Sequence, residues 1–210
     1  MRNCFANYLT ELAKKDNRIV LMMGDIGNRM FDDFKKVAPD RFINCGIAEA
    51  NMMSMAAGLA MNGMRPFVYT ITPFATLRCL EQIRTSVAYH DAKVVIVGTG
   101  SGISYAELGP THHSLDDIGI LSMIPNLSIF TPSDPNEVSE SIDDAINLNY
   151  PAYIRLGKKG EPNLIQIENP INTSTSKFIK NGNRNILLTH GPISNEALCA
   201  ANELKKKKID

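Results

Sequence analysis

Tryptophan is absent from this 210-residue chain, and histidine and cysteine occur only four times each. The cysteines, at 4, 45, 79 and 199, form neither a CxxC pair nor metal-ligand spacing, which argues against a zinc site and a disulfide frame and for reduced thiols in the cytosol. Neither sign of charge is in surplus: 22 basic and 22 acidic side chains leave a formal net charge of zero. No global field therefore recruits nucleic acid or an anionic membrane. The sequence also lacks a run of about 18 apolar residues free of charge, so no membrane span is expected. No Gly-Lys-Ser/Thr follows a glycine loop and no G-x-S-x-G elbow occurs, which removes a Walker nucleotide site and a serine nucleophile of that type. Lys205 to Lys208, the one charge run, reads as a solvated helix end.

What is present is a large apolar fraction, 44%, arranged with two periods. Short runs rich in β-branched residues lie at 18–25, 41–45, 65–71, 92–100, 126–132 and 151–157. Helical patterns fall between them at 48–62, 74–88, 115–122 and 134–147, and an amphipathic N-terminal stripe (Phe5, Leu9, Leu12) reads as a helix, not a signal peptide. Strands alternating with helices predict an α/β fold, a doubly wound and mostly parallel sheet covered on both faces. Ser133 or Asp134, with Pro135 and Glu137, marks the start of the last of these helices as a capping box. Residues 161–184 read as a connector with one short strand. Residues 185–210 read as a strand, a turn and one helix, too little to bury a core alone. The expected division is 1–160, 161–184 and 185–210, the last being the start of a truncated second α/β domain.

In a parallel sheet, ligands meet the loops after the carboxyl ends of the strands. Those loops hold "GDIGN" (24–28), "GIAE" (46–49), "TPF" (72–74) and "GTGSGISYAELGPTHH" (98–113). "GTGSG" departs from the G-x-G-x-x-G dinucleotide fingerprint and does not open a helix. His112 and His113 sit on a turn stiffened by Gly and Pro, where an imidazole can exchange a proton near neutral pH; capping the next helix is the alternative use. Glu49 heads a helix of Met, Ala and Leu. It is either a first-turn acid favoured by the helix dipole or a desolvated carboxyl able to hold or share a proton with a heterocyclic nitrogen.

The segments "PDRFINCGIAEANMMSMAAGLAMNGMRPFVYTITPFATLRCLEQI" and "GPTHHSLDDIGILSMIPNLSIFTPSDPNEV" together resemble the pyrimidine-binding domain of transketolase, especially the C-terminal chain of two-chain transketolases. The likeness runs over roughly residues 3 to 157 and extends to deoxyxylulose-phosphate synthase and, more distantly, to the β subunits of 2-oxoacid dehydrogenase E1 components. It implies thiamine diphosphate as cofactor, with Glu49 as the carboxylate on the pyrimidine nitrogen and Phe74 as the aromatic packed on the ring. Asp25 and Ile71 would line the same pocket. His112 would face substrate hydroxyls as a catalytic group, and Arg155 would bind a sugar phosphate with its planar fork.

The family's Gly-Asp-Gly and downstream Asn, which hold the diphosphate through Mg²⁺, have no counterpart here, so the resemblance implies an N-terminal-type transketolase chain as partner. An α2β2 assembly, small sugar substrates and a cytoplasmic location follow from it. Two positions depart from the pattern: Gly100 stands where the family has histidine, and Leu108 where it has an acid before G-P-T-H. These changes point to a specialised ketose. Ketol transfer leads the expected functions. The alternatives are the β subunit of a 2-oxoacid-decarboxylating thiamine enzyme and a noncatalytic pyrimidine-domain scaffold.

Overall fold

The computed structural model describes residues 1–27, 29–164, 178–180 and 184–209. The six apolar runs form one parallel sheet: β1 (Ile19–Met23), β2 (Phe42–Asn44), β3 (Arg65–Ile71), β4 (Val95–Thr99), β5 (Ser128–Phe130) and β6 (Ala152–Arg155), in the order β2-β1-β3-β4-β6-β5. The chain moves outward from β1 to β2 on one side and from β3 through β4 to the edge strand β5 on the other, before β6 returns to fill the place between β4 and β5. Between β1 and β3 lies the switch point, where a crevice opens beyond the strand ends.

Alternation along each strand divides the core into two apolar layers. Ile19, Leu21, Met23, Phe67, Tyr69, Val95, Val97 and Ile154 face one side, with α1 (Arg2–Lys15), α2 (Asp32–Val37) and α7 (Pro135–Asn147) laid over them. Val20, Met22, Val68, Ile96 and Tyr153 face the other, beneath α3 (Glu49–Met61) and the segment from Thr72 to Ala92. At the start of α7, buried Asp134 accepts from the amides of Asn136 and Glu137 at 2.8 and 3.0 Å, while Glu137 accepts from the Ser133 amide at 2.7 Å. The side-chain cap is therefore Asp134, the second of the two candidates.

Three expectations need correction. The helix expected over 74–88 is divided into α4 (Thr72–Ala75), a 3₁₀ turn at Leu77–Cys79, α5 (Leu80–Gln82) and a π-helical turn at Ile83–Ala88. Thr76, at φ −117° and ψ −81°, interrupts the first part, and two side chains take carbonyls there: Thr76 Oγ1 donates to Thr72 O and Cys79 Sγ to Phe74 O. The expected strand near 185–190 pairs with none of the six strands, and Ile186 and Leu188 are 80% and 86% exposed. Among the described residues no strand lies beside it to share a ladder, so that segment has no reason to hold strand geometry. It leads to α8 (Ser194–Lys206), which touches the main body where the Gly191 amide donates to Thr131 O and Ser194 Oγ to Ser133 Oγ. Lastly, α6 (Asp117–Leu121) starts two residues after the predicted point, and neither His112 nor His113 caps it. The short strand expected in the connector and Asn28 of "GDIGN" lie outside the described residues. Among the described residues, no helix is long and apolar enough to cross a membrane.

Candidate functional site

At the β1/β3 switch point, α3 opens on Glu49, which is 2% exposed. The carboxylate stands at the positive end of the helix and over the backbone of Gly24. A Cβ at Gly24 would sit 3.1 Å from Thr70 Oγ1 and 3.2 Å from Glu49 Oε1, so the missing side chain is what leaves this corner open. Thr70 Oγ1 is buried there with no hydrogen-bond partner among the described residues.

Glu49 is not alone in this corner. Arg78 Nη1 donates to Glu49 Oε2 at 2.8 Å, and the Arg78 guanidinium lies 3.9 Å above the centre of the Phe74 ring. A planar N–C–N group thus stacks on the aromatic face while giving a hydrogen bond to the buried acid. Phe74 is presented by the short helix α4 directly after β3, and Ile71, half-buried, is the cap residue of that helix. Beneath them, burial pushes the Cys79 thiol up to about 12, the Glu49 carboxylate adding in the same direction, so Cys79 is a packing residue and not a nucleophile.

His112 reaches the same place from the loop after β4. Its ring meets Phe74 edge-on at 5.1 Å between centroids and Tyr105 at 6.0 Å. Nδ1 pairs with Thr111 Oγ1 at 3.0 Å. The loop is closed by the antiparallel bridge between Gly102 and Ser114, with backbone bonds of 3.0 and 2.9 Å. His113 turns away and pairs with the Ala106 carbonyl through Nε2 at 3.3 Å.

Asp25, at φ +53° in the turn after β1, is exposed and accepts from Asn44 Nδ2 at 2.9 Å. It tethers the ends of β1 and β2 at the rim. Arg155 leaves β6 on the far side of the G-P-T-H loop, where Nε donates to Asp117 Oδ2 at 2.8 Å and Nη2 to the Ser114 carbonyl at 3.0 Å. Asp117 is 1% exposed and also accepts from the Tyr153 hydroxyl at 2.7 Å. Burial holds the Tyr153 phenol well above its ordinary range, and the neighbouring Asp117 charge acts the same way.

The structure therefore gathers Glu49, Phe74, Ile71 and His112 around one corner, sets Asp25 at its rim and engages Arg155 inside the protein. Sequence reasoning passed over Arg78, Tyr105 and Asp117. For Arg78 a signal existed: it stands four residues after Phe74, a spacing at which side chains on helical backbone meet. Gly100 carries another, since it has φ +73° and a Cβ there would lie 2.0 Å from Tyr105 Cε2. The Tyr105 ring fills the space that any side chain at position 100 would need.

A buried acid near a flat aromatic group, with a planar N–H donor between them, has the chemistry to receive a protonatable heterocycle. The residues present fit an aminopyrimidine: the guanidinium of Arg78 stands in for its amidine edge, and Glu49 and Phe74 offer that edge a hydrogen bond and a stacking face. Among the described residues, no group of three or more His, Cys, Asp or Glu side chains is placed to hold a metal ion.

The family profile described as "Transketolase, pyrimidine binding domain" matches residues 1–162. The chain is 38% identical over 177 residues to an apulose-4-phosphate transketolase subunit of Actinobacillus succinogenes, covering 84% of this chain and 57% of that one. It is 33% identical over 210 residues to a 6-deoxy-6-sulfo-D-fructose transketolase subunit of Clostridium sp., covering 100% of this chain and 65% of that one. A solved chain described as a split gene transketolase, inactive β4 tetramer, superposes with a TM-score of 0.88 at 32% identity, covering 99% of this chain and 68% of that one. The chain spans between 53% and 65% of the length of these two curated relatives and of a further apulose-4-phosphate transketolase subunit, from Phocaeicola vulgatus.

Proposed function

The chain belongs to the transketolase pyrimidine-binding-domain family, and on that premise we propose that it is the pyrimidine-binding subunit of a split, thiamine-diphosphate-dependent transketolase-like enzyme that moves a two-carbon ketol unit between sugar or sugar-phosphate substrates. The observation that carries this reading is the corner itself, a buried carboxylate and a stacking ring bridged by a planar N–H donor.

When bound, thiamine diphosphate would supply a thiazolium carbon acid whose conjugate base is the nucleophile that ketol transfer needs, with Glu49 and Phe74 holding its pyrimidine ring. In this reading Glu49 holds a proton against the pyrimidine ring nitrogen and so sets the tautomer of the ring's amino group. Phe74 and Ile71 fix the ring plane, Arg78 yields its place or moves to the edge, and Asp25 lines the rim. His112 hydrogen-bonds the sugar hydroxyls and moves a proton at the reacting oxygen. The low polarity behind Glu49, from Met52, Met53 and Ala56, keeps water from competing for that proton.

The diphosphate and its Mg²⁺ are assigned to a partner, an N-terminal-type transketolase chain, in an α2β2 arrangement in the cytoplasm. Support comes from the rim of the site. Ile47, between β2 and α3, is 80% exposed, and Leu115, Ile103 and Leu108, all between β4 and α6, are 77%, 61% and 50% exposed. Exposed apolar residues on the segments that carry Glu49 and His112 are what a covering chain would bury. In this proposal residues 1–160 are the pyrimidine domain, 161–184 a linker and 185–210 the opening of a further α/β domain.

The test is to isolate the polypeptide that stays bound to this chain in its native source, reconstitute the pair with thiamine diphosphate and Mg²⁺, and assay ketose phosphates against 2-oxo acids. Ketol transfer is expected. Glu49→Gln should retain assembly and lose roughly a hundredfold or more in the rate of thiazolium C2-proton exchange, the scale of a lost acid–base group. Acyl transfer from a 2-oxo acid without ketol transfer, or wild-type exchange in Glu49→Gln, would overturn the proposal. Absence of any partner bearing Gly-Asp-Gly and a downstream Asn would leave a noncatalytic scaffold.

A further inference from the structure

Arg78 is built into the corner that the proposed cofactor would enter. Its Nη1 donates to Glu49 Oε2 at 2.8 Å while its guanidinium lies 3.9 Å from the centre of the Phe74 ring, so one side chain takes both the hydrogen bond and the stacking face. A guanidinium and the amidine edge of an aminopyrimidine present the same pattern, a flat N–C–N unit with an N–H directed at a carboxylate. Two such groups cannot hold the same oxygen and the same ring face at once.

The backbone beneath Arg78 is suited to releasing it. Arg78 is the middle residue of the 3₁₀ turn Leu77–Cys79, between the break at Thr76 and the start of α5. Such a turn, set between helical segments, has poorer hydrogen-bond geometry than an α-helix and is a common place for a hinge. The Arg78 side chain is 41% exposed against 2% for Glu49, so the arginine can swing into water while the carboxylate stays in place. On the outside stands Glu81, exposed and three residues further along, a spacing at which side chains on 3₁₀ or helical backbone are neighbours. Arg78 therefore has two acids to choose between, one in the corner and one in solvent.

Resting on the proposed thiamine-diphosphate reading, we propose that Arg78 is an autoinhibitory latch: in the lone chain it fills the aminopyrimidine site as an internal ligand, and the cofactor binds by expelling it toward Glu81. A site filled by its own side chain takes an outside ligand more weakly, in proportion to the fraction of time it stands open. The pyrimidine alone competes poorly with a tethered guanidinium, and uptake draws on the added diphosphate contacts of the partner chain. While no ring is present the latch keeps Glu49 paired, which avoids an uncompensated charge in the apolar layer behind it.

The experiment is a thermal melt of the full chain titrated with thiamine, which carries the aminopyrimidine without the diphosphate, and in parallel with methylguanidinium. A ligand that binds only the folded chain raises the midpoint once its concentration passes its Kd, so the concentration at which the rise begins reports affinity. Thiamine should raise the midpoint of Arg78→Ala at about a tenfold lower concentration than the wild type needs, the gain from opening a site closed about nine-tenths of the time. Arg78→Lys keeps the charge and loses the planar stack, so it should fall between the two, and it serves as the second variant if Arg78→Ala folds poorly. Methylguanidinium should restore the midpoint lost in Arg78→Ala and leave the wild type unchanged; with Glu49→Gln added to Arg78→Ala, neither compound should act. An equal thiamine response in the wild type and both Arg78 variants, or no recovery by methylguanidinium, would overturn the latch. Recovery by methylguanidinium in a chain that thiamine leaves unmoved, whatever stands at position 78, would uphold Arg78 as the occupant of the corner and refute the thiamine reading on which its purpose rests.

Discussion

Arg78 meets two needs at once: Glu49 is a buried charge, and Phe74 presents a ring face that would otherwise meet water. The cost of burying a carboxylate is large unless it is paired, and removing one member of a buried pair commonly costs about 3–5 kcal/mol. Arg78, however, is 41% exposed, so solvent already screens its half of the pair. We expect Arg78→Ala to destabilise the chain without cofactor by about 2 kcal/mol, below that range because of the screening. Arg78→Lys should recover only part of this loss, since an ammonium retains the charge but not the planar stack on Phe74. Urea unfolding of the three proteins is the measurement, and an Arg78→Ala midpoint equal to wild type would show that Glu49 needs no partner in the lone chain.

Among the elements, α7 shows a signal written locally and read correctly. Asp134 is buried, accepts from two amides of the first turn, and takes a third bond from the Leu164 amide at 2.9 Å. Asp134→Ala should lower stability by about 2 kcal/mol, the upper end for a lost cap, which corresponds to a fall of roughly 4–8 °C in Tm for a chain of this length. Asp134→Asn should lose much less; a thermal melt of both variants checks the order. The strands were equally legible, because a parallel strand covered on both faces must be apolar throughout and the six apolar runs contain the six strands. Less legible was α2, whose six residues bury only Phe34 and give no periodicity to detect. The breaks between Thr72 and Ala88 depend on side chains that take backbone carbonyls, and the segment before α8 depends on whether a strand lies beside it. In the candidate site, Glu49, Phe74 and His112 could be singled out because each stands in a motif after a strand. The spacing of Arg78 from Phe74 was a local clue, but its bond to Glu49, 29 residues away, and the Asp117–Arg155 ion pair, 38 residues apart, are contacts that no local pattern encodes.

At the scale of the whole molecule, burying protonated thiols and phenols in both layers gives stability a one-sided dependence on pH. Burial pushes Cys79 up to about 12 from an ordinary 9.0, and Tyr69 to about 12 from 10.0. Burial, with the Asp117 charge beside it, holds Tyr153 well above its ordinary range, and burial raises Cys4 and Cys45 as well. Below pH 9 the folded and unfolded chains both hold these protons, so the groups leave stability unchanged. Above it the unfolded chain releases protons that the folded chain keeps, the unfolded state binds fewer, and stability falls with rising pH until the folded values are reached near 12. Urea midpoints in a reducing buffer should be level from about pH 7.5 to 8.5 and fall steadily by about pH 10.5, the window between the unfolded and folded titrations. Replacing Cys79 by Ala should flatten the first part of that fall, near pH 9, and leave the tyrosine part intact. A midpoint that stays level through pH 10.5 would mean that the two apolar layers open enough to let these groups ionise in place.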